Sequence, residues 1–220
     1  MLLSPNVVEI ILLSLKVTTT AVLAGALAGI PLGALLGLYS FPGKRLIVAL
    51  VFTCMGLPPV LIGVVIYLML SRSGPLGSME LLFTPQAMIL AQFLLVTPII
   101  IGLTMTAVQA KDRSYRETAK SLGASRPQMI WTIIKEARRG IWSGIAAAYG
   151  RAIAEVGAVM LVGGNIEHHT RVMTTAIILE TRMGHFTEGL QLGLVLLLVS
   201  FAFNSVLMLG MMEQLRAYRR

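Results

Sequence analysis

Polar and charged residues along this chain are gathered into short intervals between long apolar runs. Crossing a hydrocarbon core of roughly 30 Å takes about 20 apolar residues as a helix, which satisfies its own backbone polar groups there. Five runs qualify, near residues 17–38, 46–70, 86–108, 141–163 and 190–212. The pattern predicts an all-α fold: an integral membrane bundle of about five transmembrane helices in a single transmembrane domain over residues 1–220. In residues 1–15, Val7, Val8, Ile11, Leu12 and Leu15 recur at helical spacing around Glu9. That spacing predicts an amphipathic lead-in lying at the interface. It has no basic start and no small-residue cleavage site, so it reads as retained.

Composition agrees with the pattern, since 56% of the residues are hydrophobic and only 13% charged, far from the soluble average. The net charge of +8 does not point to nucleic acid, because Lys and Arg cluster in short loops between apolar runs. Lys44 and Arg45, the eight Lys/Arg from Lys111 to Arg139, and Arg216, Arg219 and Arg220 mark one face as cytoplasmic. On the opposite face Arg72, Arg171 and Arg182 are outweighed by Glu9, Glu80, Glu167, Glu180 and Glu188. The loops alternate, which puts the N-terminus outside and the C-terminus inside. Cys54, the one cysteine, can form no internal disulfide. Pro31, Pro58, Pro59 and Pro98 fall within spans, where each removes a backbone donor and tends to kink its helix. Ala21, Ala24, Gly25, Ala28, Gly29, Gly33 and Gly37 form a small-residue stripe that suits close packing in a bundle or a dimer.

One polar island interrupts the pattern: "SYRETAKSLGASRPQMIWTIIKE", residues 114–136. Ser114 with Glu117, and Ser125 with Gln128, each fit a capping box, so two helix starts are signalled. Gly123 stands where a residue able to take positive φ ends one helix and turns the chain. The island reads as helix, glycine turn, helix. In the second helix Met129, Ile130, Ile133, Ile134 and Ala137 share one face, and Arg126, Lys135, Arg138 and Arg139 occupy the rest. Two burials suit that face: anionic headgroups at the inner leaflet, or a cytoplasmic partner.

The stretch "ETAKSLGASRPQMIWTI" resembles the cytoplasmic loop motif of ATP-binding cassette (ABC) importer permeases, in which Glu-Ala-Ala is followed after three residues by Gly and nine later by Ile-x-Leu-Pro. Glu117, Thr118 and Ala119 take the opening positions, Gly123 and Ile133 the next two, and Lys135 and Glu136 replace Leu-Pro. The resemblance implies a type I importer-like fold whose coupling helix docks on a separate ATPase subunit through Glu117, Ala119, Gly123, Ala124 and Ser125. It implies a homodimer with two such ATPases and an extracytoplasmic solute-binding protein. No cofactor is expected in this chain, which lacks G-x-x-x-x-G-K-[ST]; ATP and Mg belong to the partner. The chain is read as a permease rather than an enzyme.

In the fourth run, "GRAIAEVGAVMLVGGNI" places Arg151 and Glu155 four residues apart on one helical face, the spacing of an intrahelical ion pair. Such a pair fixes packing or handles an anion, and Arg151 has a third option, to snorkel toward the inner interface. The phrases "RAIAEVGAVMLVGGNI", "TRVMTTAI" and "GPLGSMELLFTP" resemble oxyanion permeases of the molybdate, tungstate and sulfate group, tungstate most closely. Import of tungstate, with molybdate or sulfate next, is what this implies. Asn165, His168, His169 and Arg171 are then candidates for contact with the binding protein. The pathway candidates are Arg151, Glu155, the kinked Gly56, Pro58 and Pro59, and the small residues Gly157, Gly163 and Gly164. Adjacent His168 and His169, with His185 far along the chain, do not have metal-ligand spacing. Two rival classes remain: a proton- or sodium-coupled carrier with Glu155 as the coupling carboxylate, and an intramembrane enzyme with Glu155, Arg151 and the histidines in one pocket.

Overall fold

A computed structural model describes residues 5–218, with side chains described over residues 6–206 apart from Arg113, Ser114 and Lys120. Residues 1–4, Arg219, Arg220 and the side chain of Arg216 lie outside the described residues. With them go the start of the lead-in and the C-terminal basic cluster. Eight α-helices follow in order: α1 (Pro5–Leu38), α2 (Lys44–Met55), α3 (Pro59–Leu70), α4 (Pro85–Ser121), α5 (Arg126–Ile153), α6 (Gly157–Gly163), α7 (Met173–Arg182) and α8 (Phe186–Tyr218). The described residues contain no strand. Asn6–Leu38, Pro85–Asp112 and Phe186–Val206 are each long and apolar enough to cross a membrane. Two bent pairs, α2 with α3 and α5 with α6, pass the same test together.

The elements depart from the expected runs in several places. Residues 5–15 do not form a separate interfacial segment: they are the first turns of α1, a rod of 34 residues or about 51 Å. The run 46–70 is two helices meeting at 98°, broken at Gly56–Leu57–Pro58, with Pro59 opening α3 at the one helical position where a missing N–H costs nothing. Pro31 and Pro98 break nothing, since α1 and α4 run through them. No helix starts at Ser114, whose backbone lies inside α4. At 37 residues, about 55 Å, α4 is nearly twice as long as the hydrocarbon core is thick, so the span and the first half of the polar island are one rigid rod.

The bundle is organised around α4. Gly25, Gly29, Gly33 and Gly37 lie along α1 where a Cβ would strike it: one on Gly33 would sit 2.6 Å from the Ile101 carbonyl oxygen, and one on Gly37 2.7 Å from Val108 Cγ1. The glycines of the small-residue stripe are therefore taken up by packing within the chain. A Cβ on Gly140 or Gly144 of α5 would likewise press on Ala107 or Leu103 of α4. Met129, Ile133 and Ala137, the apolar face of α5, are buried with Ala34 of α1 and Val108 of α4. Neither lipid nor a partner covers that face; its own chain does. A second core joins α3, α4 and α6 through Ile62, Ile66, Met88, Ala91, Val159 and Val162.

Gly33→Ala is expected to destabilise the chain by about 1–3 kcal/mol, the usual cost of forcing volume into a close-packed seam. Gly150→Ala, where a Cβ meets nothing within 4 Å, is expected to be neutral or stabilising. Thermal unfolding in detergent of both variants checks the contrast, and equal shifts would contradict the seam.

Candidate coupling turn and broken-helix junction

At one end of the bundle α4 stops in a Schellman turn. The Ala124 N–H donates to the Ala119 carbonyl at 2.9 Å, and Gly123 holds φ +72, a value that strains any residue with a Cβ. The second predicted helix start is present. Ser125 precedes α5, its backbone N–H donates to Gln128 Oε1 at 2.8 Å, and its hydroxyl meets the same oxygen at 2.9 Å. The turn is braced from both sides: Arg116 pairs with Asp112 at 2.6 Å and donates to the Leu38 carbonyl at the end of α1. The Tyr115 hydroxyl donates to Glu136 Oε2 at 3.2 Å, tying α4 to α5. Of the five residues expected to dock, Glu117, Gly123 and Ser125 are exposed and Ala124 is half-buried. Ala119 packs instead against the α1–α4–α5 core. Leu122, which the sequence reading passed over, is 79% exposed at the tip.

The second constellation lies where α5 gives way to α6 after a 56° bend. Arg151 and Glu155 do not share a helix, because α5 ends at Ile153 and Glu155 belongs to the break. They still face one another, Arg151 Nη1 lying 3.8 Å from Glu155 Oε2, a long pair in which Arg151 is exposed and Glu155 buried. The other carboxylate oxygen of Glu155 accepts the Ala158 N–H at 3.1 Å, capping α6. Broken helices leave carbonyls without partners, and here two side chains supply donors: Gln92 Nε2 to Ala152 at 3.0 Å, and Thr174 Oγ1 to Glu155 at 2.8 Å. Neither Gln92 nor Thr174 was singled out from sequence. A glutamine inside an apolar run was the available signal for the first.

The two broken spans meet at their second halves. A Cβ on Gly157 would lie 2.8 Å from Val60 Cγ2, and one on Gly63 2.8 Å from Ala158 Cα. Gly157 and Glu155 thus sit beside the Pro58–Pro59–Val60 corner, and Pro58 and Arg151 are exposed on the chain surface. Gly163 is buried against Met88, and Gly164 turns the chain at φ +72 beside Phe83. Gly56 is exposed in the α2–α3 break.

At the far end the loop after α6 is wound around Thr170, whose hydroxyl donates to the Gly163 carbonyl at 2.5 Å and accepts the Ile166 N–H at 2.9 Å. His168 and His169 project from it, while Asn165 and Arg171 are folded in and Arg171 pairs with Glu167 at 3.4 Å. His168 Nδ1 meets Glu9 Oε2 of α1 at 2.7 Å, and His185 meets Glu180 at 2.9 Å, so the histidines occupy separate places. Among the described residues no three His, Cys, Asp or Glu are arranged so as to hold a metal ion. The hydrogen bond to Glu9, and after it the carboxylate's charge, raise the His168 pKa above 6.5.

Residues 29–215 match a family described as "Binding-protein-dependent transport system inner membrane component". The chain is 45% identical over 203 residues to the "Tungstate uptake system permease protein TupB" of Peptoclostridium acidaminophilum, covering 92% of this chain and 89% of the relative. It is 42% identical over 204 residues to a "Probable anion ABC transporter permease protein" of Haloferax volcanii, covering 90% and 88%. A crystal structure of an amino acid ABC transporter with histidines superposes with a TM-score of 0.69 at 18% identity, covering 94% of this chain and 92% of that one, which bears on the fold alone.

Thr174→Val removes the hydroxyl donor to the Glu155 carbonyl at nearly constant shape, and Gln92→Leu removes the donor to Ala152, which keeps the Glu155 N–H as a partner at 3.1 Å. Each is expected to cost about 1 kcal/mol or somewhat more, read as a melting shift of a few degrees. Separately, the Glu9–His168 contact contributes below the ordinary pKa of 6.5 and is lost as pH rises through the raised one. Imidazole NMR should show one histidine titrating above 6.5 whose midpoint falls in Glu9→Gln; an unchanged midpoint would refute the contact.

Proposed function

The chain belongs to the family of binding-protein-dependent transport system inner membrane components, and from that premise we propose that it is the permease subunit of an ATP-driven importer for tungstate, with molybdate or sulfate as the next candidates. It is a membrane component and not an enzyme; hydrolysis is the work of a separate ATPase subunit, where ATP and Mg act. The arrangement proposed is a homodimer carrying two ATPases inside and a binding protein outside, with the N-terminus outside and the C-terminus inside. Residues 1–220 act as one domain, with residues 111–140 as the coupling loop.

The observation that carries this reading is the turn at 122–125. It is exposed, stiffened by its glycine and capping bonds, and continuous through α4 with the middle of the bundle. The apolar face of α5 is already covered, so what remains free is a polar tip with Glu117, Gly123, Ala124, Ser125 and Leu122 available to a partner. ATP binding would draw the two tips of the dimer together, and the rods would transmit that motion to the broken helices; hydrolysis would reset them. Exposed Pro58 and Arg151, with Gly157 behind them, form one side of the pathway, and the second copy supplies the other. His168 and His169 face the binding protein, with Asn165 and Arg171 holding their loop in shape. Glu155 is engaged by a backbone N–H and Arg151, which suits a structural role better than that of a proton-coupling carboxylate.

Gly123→Pro forces φ toward −65° where the turn needs +72. This variant and Glu117→Ala are expected to weaken ATPase co-purification about tenfold and to reduce tungstate uptake in proteoliposomes, leaving helix content unchanged. Unchanged association and uptake in both would overturn the docking role. Metal-content measurement with molybdate and sulfate as competitors tests the choice of anion.

A further inference from the structure

We propose that the groove between α1, α5 and α8, at the end of the bundle that carries the coupling turn, is a binding site for an anionic phospholipid. The groove has a volume of about 520 Å³. Its far part is apolar, walled by Val22 and Ile30 of α1, Ile145 of α5 and Phe203 of α8. Its near part holds Lys135 and Arg138 between Trp131 and Trp142. These four residues recur at intervals of four, three and four along α5, which puts them on one helical face. From Trp131 to Tyr149 the lining of α5 extends 18 residues, about 27 Å, enough for a headgroup and the acyl chains of one leaflet.

The chemistry of the walls selects the occupant. Hydrocarbon at one end and two cations at the other match a tail and a phosphate, and indoles flanking the cations match the headgroup boundary. Among the described residues no carboxylate comes within 4.0 Å of Lys135 or Arg138. The neighbouring Glu136 is turned away to Tyr115. Both cations are therefore free to receive an anion, which basic grooves between spans do for acidic lipids. A second copy fits less well, because a two-fold contact through this face would bury two cations from each copy, neither with a described carboxylate of its own chain within 4.0 Å.

Trp131 and Trp142 are the chain's two tryptophans, so their fluorescence reports on the groove alone. The full chain is placed in phosphatidylcholine vesicles containing either phosphatidylglycerol or phosphatidylcholine with brominated acyl chains. Brominated phosphatidylglycerol is expected to quench at a two- to threefold lower mole fraction than brominated phosphatidylcholine. Lys135→Gln with Arg138→Gln should abolish that preference and keep the phosphatidylcholine curve, whereas Lys135→Arg with Arg138→Lys should retain it. Equal quenching by both lipids in the unmodified chain would overturn the site, as would a preference that survives neutralisation of both cations. Shielding from both lipids that is relieved by diluting the chain in the bilayer would give the groove to a second copy instead.

Discussion

Four missing side chains on α1 decide how closely its backbone can approach α4, and most of the bundle takes its position from that approach. Lipid tails are as apolar as leucine, so the hydrophobic effect does little to hold helices together in a bilayer; close packing must do it. Gly25, Gly29, Gly33 and Gly37 occur once per turn on the face that meets α4. The other neighbours of α4 approach in the same way, α5 through Gly140 and Gly144, α6 through Gly163 against Met88, and α2 through Met55 against Gly102 of α4 itself. A rod gripped on several sides by backbone contact does not bend easily. Its free end at Gly123 is thereby connected to Gln92 near its opposite end.

That coupling matters because Gln92 holds the Ala152 carbonyl at the break between α5 and α6. In hydrocarbon an unpartnered carbonyl costs several kcal/mol, so a helix can be interrupted only where donors are waiting. Thr174 provides one for the Glu155 carbonyl, Gln92 adds a donor to the Ala152 carbonyl beside the Glu155 N–H, and the Glu155 carboxylate starts α6 again. The break is thus specified by its contacts rather than a defect. In the proposed mechanism, strain applied along α4 would arrive at a place where the backbone already departs from the helix.

The long apolar runs were legible because bilayer thickness sets their length, and Gly123 was legible because few other residues tolerate its φ. Run length cannot distinguish a straight span from a bent one: Pro58 and Pro59 signalled a kink but not a 98° corner, and the 56° bend at Glu155 went unseen. Pro31 and Pro98 carry the same signal as Pro59 and leave their helices whole, so proline alone does not locate a break. Ser114 and Glu117 have the spacing of a cap, yet Tyr115 and Arg116 between them are anchored to α5 and α1, and tertiary contact keeps the helix running. The partner of Gln92 lies 60 residues away, a distance across which no local pattern reaches. The apolar stripe of α5 was read correctly as buried, but its cover, α1 and α4, could be named only from the packed chain.

Within the five expected spans the charged side chains are Arg151 and Glu155. A tetrahedral dianion leaving water needs its hydration replaced by donors or cations, and the proposed homodimer would bring two guanidiniums to the task. Each stands 3.8 Å from its own carboxylate, close enough to be partly neutralised and too far for that carboxylate to occupy its donors. A pathway furnished in this way, as proposed, would attract an anion without retaining it, which is what passage requires. In the proposed importer, discrimination among tungstate, molybdate and sulfate would then belong to the receptor outside the membrane, and the permease would contribute a route opened through the turn at Gly123.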